Sequence, residues 1–458
     1  MIRLLIRLRA ASDLHLGAKK PYGQFLETET YIVGRTLRGA LAAVFLADCP
    51  PGQRPGKVVP NFCRDCPLAV NNTCRFDDLF TEDGTVRFEH CYPEYQEHQA
   101  VKSLPETQVL PLTAHSCKVE PGFYSGHDYA VERLGTRLPS QTRPHGVFDV
   151  LIPHLVYHEL DRLAGPLPLV WADRCPECLN EADPFPGLCE TLGEPPWIYY
   201  QPRVHSRRSS KTAISRARQA AQVGQLFSVE LVDEGQQFVG SVLVPDELEE
   251  AVREGLVRLA QQGGLGGRAA RGLGRVELAG PVKTLGEESA ADVQARLERF
   301  NALLAEHWRQ WRTLASADAP AEPPGTYFTL DLQSEALLPD GWGRPTLGLE
   351  AEELTQLLRT LSKSSGSLPV LEVAGRYVAP VRVGGWSVAW RLPREVKLAA
   401  AAGSVFVFRS GVPCEGEALV RLARALAGLQ ARGLGSGGQW GLGRVRVCHP
   451  FHLEVTPV

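Results

Sequence analysis

Cysteine supplies the clearest chemistry in this chain. Cys63-x2-Cys66-x7-Cys74, with Cys91 further on, offers four thiolates, and Cys175-x2-Cys178, with Cys117 upstream and Cys189 downstream, offers four more. A two-residue spacer lets both sulfurs face one ion, and four ligands of this kind satisfy the tetrahedral preference of zinc. The chain holds 11 cysteines, and its opening run Met1 to Arg9 is broken by charge every few residues, unlike a secretion signal. Reduced thiols and bound metal are therefore expected rather than disulfides. Two structural Zn2+ sites follow: one from Cys63, Cys66, Cys74 and Cys91, with His90 an alternative to Cys91, and one from Cys117, Cys175, Cys178 and Cys189. Catalytic zinc wants an open position and usually a histidine or carboxylate ligand, which neither four-thiolate set supplies.

A second pattern points to phosphate. Gly264-Leu265-Gly266-Gly267-Arg268-Ala269-Ala270-Arg271-Gly272-Leu273-Gly274-Arg275-Val276 returns near the C-terminus as Gly433-Leu434-Gly435-Ser436-Gly437-Gly438-Gln439-Trp440-Gly441-Leu442-Gly443-Arg444-Val445. Glycine lets a backbone lie flush against a ligand with its N–H groups exposed, and arginine adds charge. Such a surface suits nucleic acid. The first copy keeps Arg268 and Arg271 inside the loop, whereas the second has Gly437 and Trp440 there; phosphate binding is expected of the first, stacking or subunit contact of the second.

The net charge is -3, so any polyanion must be met locally. Arg203, Arg207, Arg208, Lys211, Arg216 and Arg218 form a basic arm, with no acid between Gln201 and Val229 and with Tyr199, Tyr200 and His205 beside it as stacking surfaces. Arg35 and Arg38 fall in the first turns of a helix pattern, where they oppose the helix dipole unless an anion is bound. The phosphate loop Gly-x4-Gly-Lys-Ser/Thr of nucleotide hydrolases is absent. Each glycine loop follows a helix and precedes a strand, the reverse of a dinucleotide fingerprint, which excludes a Rossmann reading.

The elements that must position these groups recur in one order. Arg3 to Leu8 alternates as a half-buried strand, and Tyr31 to Phe45 reads as a turn feeding a helix. From Asp48 to Gly224 periodicity is lost among proline, cysteine and histidine, as in loop-built insertions. Leu226–Val232 and Phe238–Val244 read as a hairpin about Asp233-Glu234-Gly235, followed by a helix from Glu247 to Gln262, the glycine loop and a strand at Arg275 to Leu278. This βαββαβ order is the ferredoxin-like plan. A helix from Glu287 to Thr313 and a proline-rich linker, Ala315 to Gly325, lead to a second copy: Tyr327 to Leu332, a helix at Glu350 to Lys363, strands at Val370–Val373, Arg376–Val383 and Ser404–Phe408, a helix from Glu417, and the second glycine loop. The expected organisation is an α+β chain with a first module over 1–283 (insertion about 48–224), a helix and linker over 284–324, and a second module over 325–458. No stretch approaches the ~18 apolar residues of a membrane span, so a soluble cytoplasmic protein is expected.

Tyr31-Ile32-x-Gly34-x-x-Leu37-Arg38-Gly39-Ala40, Gly224-Gln225-Leu226-Phe227 and the two glycine loops before final strands resemble the RAMP superfamily of CRISPR-associated proteins over essentially the whole chain. The tandem plan with cysteine-rich insertions looks most like the large RAMP subunit of type III-D effector complexes. The resemblance implies ferredoxin-like (RRM-like) modules that bind CRISPR RNA at its 5′ tag or guide backbone, pair it with target RNA, and pack against other RAMP subunits and the large signalling subunit. It places RNA contacts at Arg35, Arg38, Gly264 to Arg275, Gly433 to Arg444 and the basic arm. Relatives that cleave target RNA carry an aspartate on the loop after the first strand; here that loop holds Glu27 and Glu29, with Asp13 before it. An endoribonuclease acting through Asp13, His15, Glu27 or Glu29 is the alternative, since His15 could supply acid–base chemistry to an attacking 2′-hydroxyl.

Overall fold

The computed structural model describes residues 1–17, 25–47, 49, 74–80, 85–95, 106–124, 144–192, 198–215, 217–286, 288–362, 368–387, 392–454 and 457–458. In chain order the elements used below are β1 (Ile2–Ala10), α1 (Gly34–Ala47), β2 (Arg87–Phe88), β3 (Tyr92–Pro93), β4 (Ala114–Cys117), β5 (Val147–Asp149), α2 (Leu151–Ala164), β6 (Ala182–Pro184), β7 (Ser206–Ser215), β8 (Ala220–Val232), β9 (Gln237–Val244), α3 (Glu249–Gln262) and β10 (Val276–Leu278). After these come α4 (Ala290–Arg312), β11 (Tyr327–Leu332), α5 (Ala351–Ser362), β12 (Leu371–Tyr377), β13 (Pro380–Ser387), β14 (Leu392–Ala400), β15 (Val405–Ser410), α6 (Gly416–Arg432) and β16 (Val445–Val447).

Alternation builds the first sheet. Leu4, Ile6, Leu8 and Ala10 of β1 are buried on one face, and β1 lies antiparallel between β9, from Ile2 opposite Val244 to Arg9 opposite Gln237, and β10. The sheet runs β10-β1-β9-β2, with β3 also on β9. Helix α1 closes it with Leu37, Ala40, Leu41 and Val44, and α3 with Val252, Leu256 and Leu259, each set at helical spacing. The second sheet runs β12-β15-β11-β16, covered by α5, α6 and the long α4, whose Val293, Leu297, Phe300, Leu304 and Trp308 form one apolar stripe. Ser289 starts α4 with a reciprocal cap to Asp292. Both sheets place their strands in the ferredoxin-like order, the first and third strands central.

Two sequence expectations are corrected here. Leu226–Val232 and Phe238–Val244 do not pair: β8 pairs with β7 from Ser206 opposite Val232, while β9 has β1 on one side and β2 and β3 on the other, leaving it no free edge. The hairpin is therefore the basic arm itself. The strand that completes the first sheet comes instead from 87–93, inside the segment read as insertion. That segment also holds α2 and a small sheet ordered β5-β4-β6. In the second half, the strands expected at Val370–Val373 and Arg376–Val383 are instead β12 (Leu371–Tyr377) and β13 (Pro380–Ser387), and β13 forms a hairpin with β14, which gave no signal.

Buried charge joins the parts. His452 lies between Asp149 of β5 (2.8 Å) and Asp331 of β11 (2.7 Å) and is fully buried. Burial opposes its charge, but the two carboxylates outweigh it and raise its pKa to about 10, so both ring nitrogens donate. No helix among the described residues is long and apolar enough to cross a membrane.

Candidate nucleic-acid interface and metal centre

The two glycine loops have the same backbone. Leu265 N donates to Gly274 O at 2.8 Å, and Leu434 N to Gly443 O at 2.7 Å. Each encloses a single 3-10 turn, Ala269–Arg271 or Gly438–Trp440. The turn is entered in the left-handed region at Arg268 (φ 64°) or Gly437 (φ 84°) and left there at Gly272 (82°) or Gly441 (85°). Each loop docks on the chain leaving the first strand of its sheet. Gly274 N donates to Asp13 O (3.0 Å) and Gly267 N to His15 O (2.8 Å); Arg275 N reaches Ser12 Oγ at 3.0 Å. In the second half Gly443 N donates to Glu335 O (2.8 Å), Ser436 N to Leu337 O (3.0 Å), and Arg444 N to Ser334 Oγ (2.9 Å). Leu14 and Val232 exchange backbone bonds as Ala336 and Ala400 do, which makes β7–β8 and β13–β14 counterparts. The paired Ser12-Asp13 and Ser334-Glu335 were not recognised in the sequence, where two residues are too short a match to stand out.

Surroundings separate the loops. In the first, Gly264, Arg271, Gly272 and Arg275 are exposed, and Arg268 lies 5.4 Å from the Phe227 ring of β8, joining loop to hairpin. The second is packed against the first half. A Cβ at Gly441 would meet Phe88 O at 2.5 Å and His90 Nδ1 at 2.6 Å. Arg444, expected to contact RNA, is buried in an ion cluster with Glu106 and Glu89, which Arg3 also joins at 2.9 and 2.7 Å. Burial opposes ionisation of Glu89, but Arg3, Arg444 and Arg87 hold it at about 2. Gly433 and Gly443 are likewise buried; Gly435 is exposed, Gly437, Gly438 and Trp440 half-buried, and Arg394 lies 4.8 Å over the Trp440 ring. The buried part of the second loop packs on its own chain, and Arg444, buried among carboxylates, is withdrawn as an RNA contact.

The remaining arginines divide the same way. Arg38 donates to Phe80 O at 2.6 Å, and Arg35 packs against Gly385 of β13; both are half-buried in internal packing. Arg203, Arg208, Lys211 and Arg218 are exposed on or beside the β7–β8 hairpin, Arg208 stacking on Phe25 at 4.7 Å. Arg207 is tied to Asp13 and lies 3.6 Å from Asp233; Arg216 lies outside the described residues.

Asp13 is thus engaged by Arg207 and by Glu234 N (3.3 Å). Burial, and to a lesser extent the charge of Arg268, depress the His15 pKa, with a hydrogen bond working against them. Its Nδ1 is buried without a partner. Glu27 and Glu29 are half-buried on the neighbouring segment. These four residues present no paired acid and base.

Cys117, His145, Cys175 and Cys178 bring their ligand atoms within 4.8 Å of one another. Cys117 Sγ lies 3.6 Å from Cys178 Sγ, and Cys175 Sγ 3.6 Å from His145 Nδ1. Ligands about 2.3 Å from a tetrahedral zinc would be separated by about 3.7 Å, so the donor set fits that ion. The knuckle is shaped by Cys175 N donating to Asn180 O (2.8 Å) and Leu179 N to Cys175 O (2.9 Å), with Leu179 at φ 60°. A backbone hydrogen bond from Asn180 is the main cause that lowers the Cys178 pKa to about 7, favouring thiolate. Cys117 ends β4 and His145 precedes β5, so strand pairing sets the other two ligands. Cys189, the expected fourth ligand, is instead buried with Leu110, Phe123 and Tyr199, its pKa raised by burial. His145 takes its place; a histidine beside Gly146 at the edge of a low-periodicity stretch gave no spacing signal. Cys63 and Cys66 lie outside the described residues. Cys74 is half-buried, and Cys91 packs in the first core, its thiol raised by burial. His90 has both ring nitrogens engaged, by Gly34 N (3.0 Å) and Glu335 (2.9 Å).

The two sheets, their glycine loops and the projecting hairpin define an α+β protein of the ferredoxin-like kind. Residues 7–277 match the model of the RAMP superfamily, and the chain belongs to that superfamily. Residues 296–439 match a second family model, that of the CRISPR-associated protein Cas_Cmr3. No curated protein matches the chain. Among solved structures, a chain of the type III-B Cmr-beta complex bound to cognate target RNA and AMPPnP is similar at 11% identity and TM-score 0.34, covering 88% of this chain and 86% of that one. Thermus thermophilus Cas6 is similar at 13% identity and TM-score 0.25, covering 46% of this chain and 74% of the other.

Proposed function

We propose that this chain is an RNA-binding subunit of a type III CRISPR effector complex, built as two RAMP modules in tandem. It grips CRISPR RNA, at the 5′ tag or guide backbone, along the β7–β8 hairpin and the first glycine loop, and packs against other RAMP subunits, the large signalling subunit and the guide–target duplex. The observation that carries the reading is an exposed basic hairpin beside an open loop: Arg208, Lys211 and Arg218 on β7–β8, with Arg203 just before it, and, across the Phe227–Arg268 contact, the exposed Arg271 and Arg275. Membership of the RAMP superfamily supports it. The Cas_Cmr3 match over 296–439 favours a Cmr-type arrangement over the III-D one suggested by the cysteine-rich segment. Replacing Arg203, Arg208, Lys211 and Arg218 with alanine should weaken CRISPR RNA retention in the assembled complex. It should also flatten the log K against log salt slope by about 0.7 for each phosphate no longer neutralised. Retention and slope equal to wild type would refute the assignment.

The same reading makes Cys117, His145, Cys175 and Cys178 a structural zinc site that ties the end of β4 and the chain entering β5 to the Cys175–Cys178 knuckle. Metal analysis of purified protein should find about one zinc for this set, and Cys178→Ser should release it. The endoribonuclease alternative draws on His15 beside Arg268. Incubation with repeat RNA and with guide-paired target RNA, with and without magnesium, should leave both intact; cleavage abolished by His15→Ala would establish the alternative.

A further inference from the structure

A cleft of about 380 Å³ opens between the two halves, lined by β1, α6, β16 and the start of α4. Its volume falls in the range of small-ligand sites. Arginine outnumbers carboxylate around it. Arg3 and Arg444 are matched by Glu89 and Glu106. Arg296 and Arg446 share only Glu288, Arg446 at 3.4 Å. Arg424, on the cleft wall and exposed, has no hydrogen bond or ion pair among the described residues. Among the described residues, these five guanidinium groups meet Glu89, Glu106 and Glu288, with Asp292 held on Ser289 at the rim.

Arg446 is the residue left short. Its Nη1 reaches Gln108 Oε1 only at 3.4 Å and its Nη2 reaches Glu288 at 3.4 Å, while its Nε is buried with no partner. A buried donor without an acceptor is costly, and a guanidinium presents its donors in a fork that suits phosphate oxygens. Burial pulls Arg446 down to about 10 despite Glu288, consistent with a charge that its own neighbours under-compensate. The N-cap Ser289 and Ala290 of α4 border the same space, the helix end itself being capped by Asp292. Ala427, Gly428 and Ala431 keep the α6 wall low, so the space is not filled by side chains.

We propose that this cleft binds a phosphate monoester, carried by a free nucleotide or by the end of an RNA strand, with Arg446 and Arg424 as its ligands. The site is separate from the basic hairpin and does not rest on the RNA reading above. Calorimetric titration of the full-length protein with orthophosphate and with AMP should show binding. Arg424→Glu, at an exposed position where folding is not at stake, should weaken AMP binding about tenfold or more, the loss expected when a charged hydrogen-bonding partner is removed. Arg446→Gln should do the same where its melting profile shows it folded. The hairpin variant lacking Arg203, Arg208, Lys211 and Arg218 should bind AMP as wild type does, which separates the two sites. Competition by a 5′-phosphorylated oligoribonucleotide but not by its 5′-hydroxyl form assigns the RNA end; competition by neither assigns the free nucleotide. Equal competition by both, absence of orthophosphate and AMP binding at millimolar concentration, or unchanged AMP affinity in Arg424→Glu would overturn the proposal.

Discussion

The two glycine loops share their left-handed positions, their single 3-10 turn and their docking bonds, yet one keeps its arginines toward solvent and the other has its arginine and half its glycines buried in the chain. Arg275 and Arg444 are equivalent, each with its N–H on the serine that follows the first strand. One side chain is exposed; the other is buried against Glu106 and Glu89. The glycines therefore encode a turn that docks on the end of a strand. What the turn then touches depends on residues supplied from elsewhere, here β2 and the segment around Glu106.

The largest effect should come from breaking this difference at its charge. Arg444→Ala leaves Glu106 and Glu89 short of a partner in a buried site, which costs about 3–5 kcal/mol. Arg275→Ala, exposed, should cost less than about 0.5 kcal/mol. Urea unfolding of both variants measures the contrast, and equal losses would mean that the second loop is no more embedded than the first.

A second contrast is pH-dependent, because the second sheet is tied to β5 by His452 between Asp149 and Asp331. The folded-state pKa of His452 is raised, so its contribution is full below its ordinary value near 6.5 and is lost as pH rises through about 10. The Asp331 pKa is lowered: burial alone would raise it, and His452 reverses that. Its contribution is present above the ordinary aspartate range and lost in acid. His452→Gln should lower stability at pH 7 by about 3 kcal/mol and flatten the fall between pH 7 and 10. A variant with the wild-type pH profile would show that the pair is not ionised as described.

How much of this was legible in the sequence follows from the range of the interactions. The alternation of Leu4, Ile6 and Leu8, the helical stripes of α1, α3 and α6, and the duplicated glycine pattern are local, and each appears in the structure. The strand at 87–93 is two short pairs of residues with no period to detect. The pairing of β8 with β7 rather than β9 was decided by which edges other strands had already taken. Arg444 and Arg275 look alike in sequence because the carboxylates that separate them lie more than three hundred positions from Arg444. Cys175 and Cys178 announced a metal site through their spacing, but its other two ligands are set by the pairing of β4 with β5, so Cys117 was reached by position alone and His145 was missed for Cys189.

A smaller effect should separate the loops at their glycines. Gly441 and Gly272 share a φ near 85°, so alanine costs about 1–2 kcal/mol of left-handed strain at either. Only at Gly441 does the new Cβ also strike Phe88 O and His90 of the first half, so Gly441→Ala should lose about 2 kcal/mol more than Gly272→Ala. Nothing lies within 4 Å of a Cβ at Gly272. Equal melting temperatures for the two variants would contradict the packing of the second loop against β2.

The smallest change in stability should accompany a specific loss of binding. Arg271 and Arg275 are exposed and contribute nothing to the core, so replacing both with alanine should leave the melting temperature within a degree or two by the usual tolerance of surface sites. Under the RNA-binding reading it should still leave two phosphates without their counter-charge and reduce the salt slope by about 1.4, twice the single-strand value per phosphate. Trp440→Ala, at the position equivalent to Arg271, should do the reverse, lowering stability through weaker packing against Arg394, Leu337, Ala399 and Leu442 while leaving the salt slope alone. Filter binding at several salt concentrations with thermal melts separates the two outcomes. If Trp440→Ala changed the slope and the arginine pair did not, the assignment of phosphate binding to the open loop and internal packing to the closed one would be inverted.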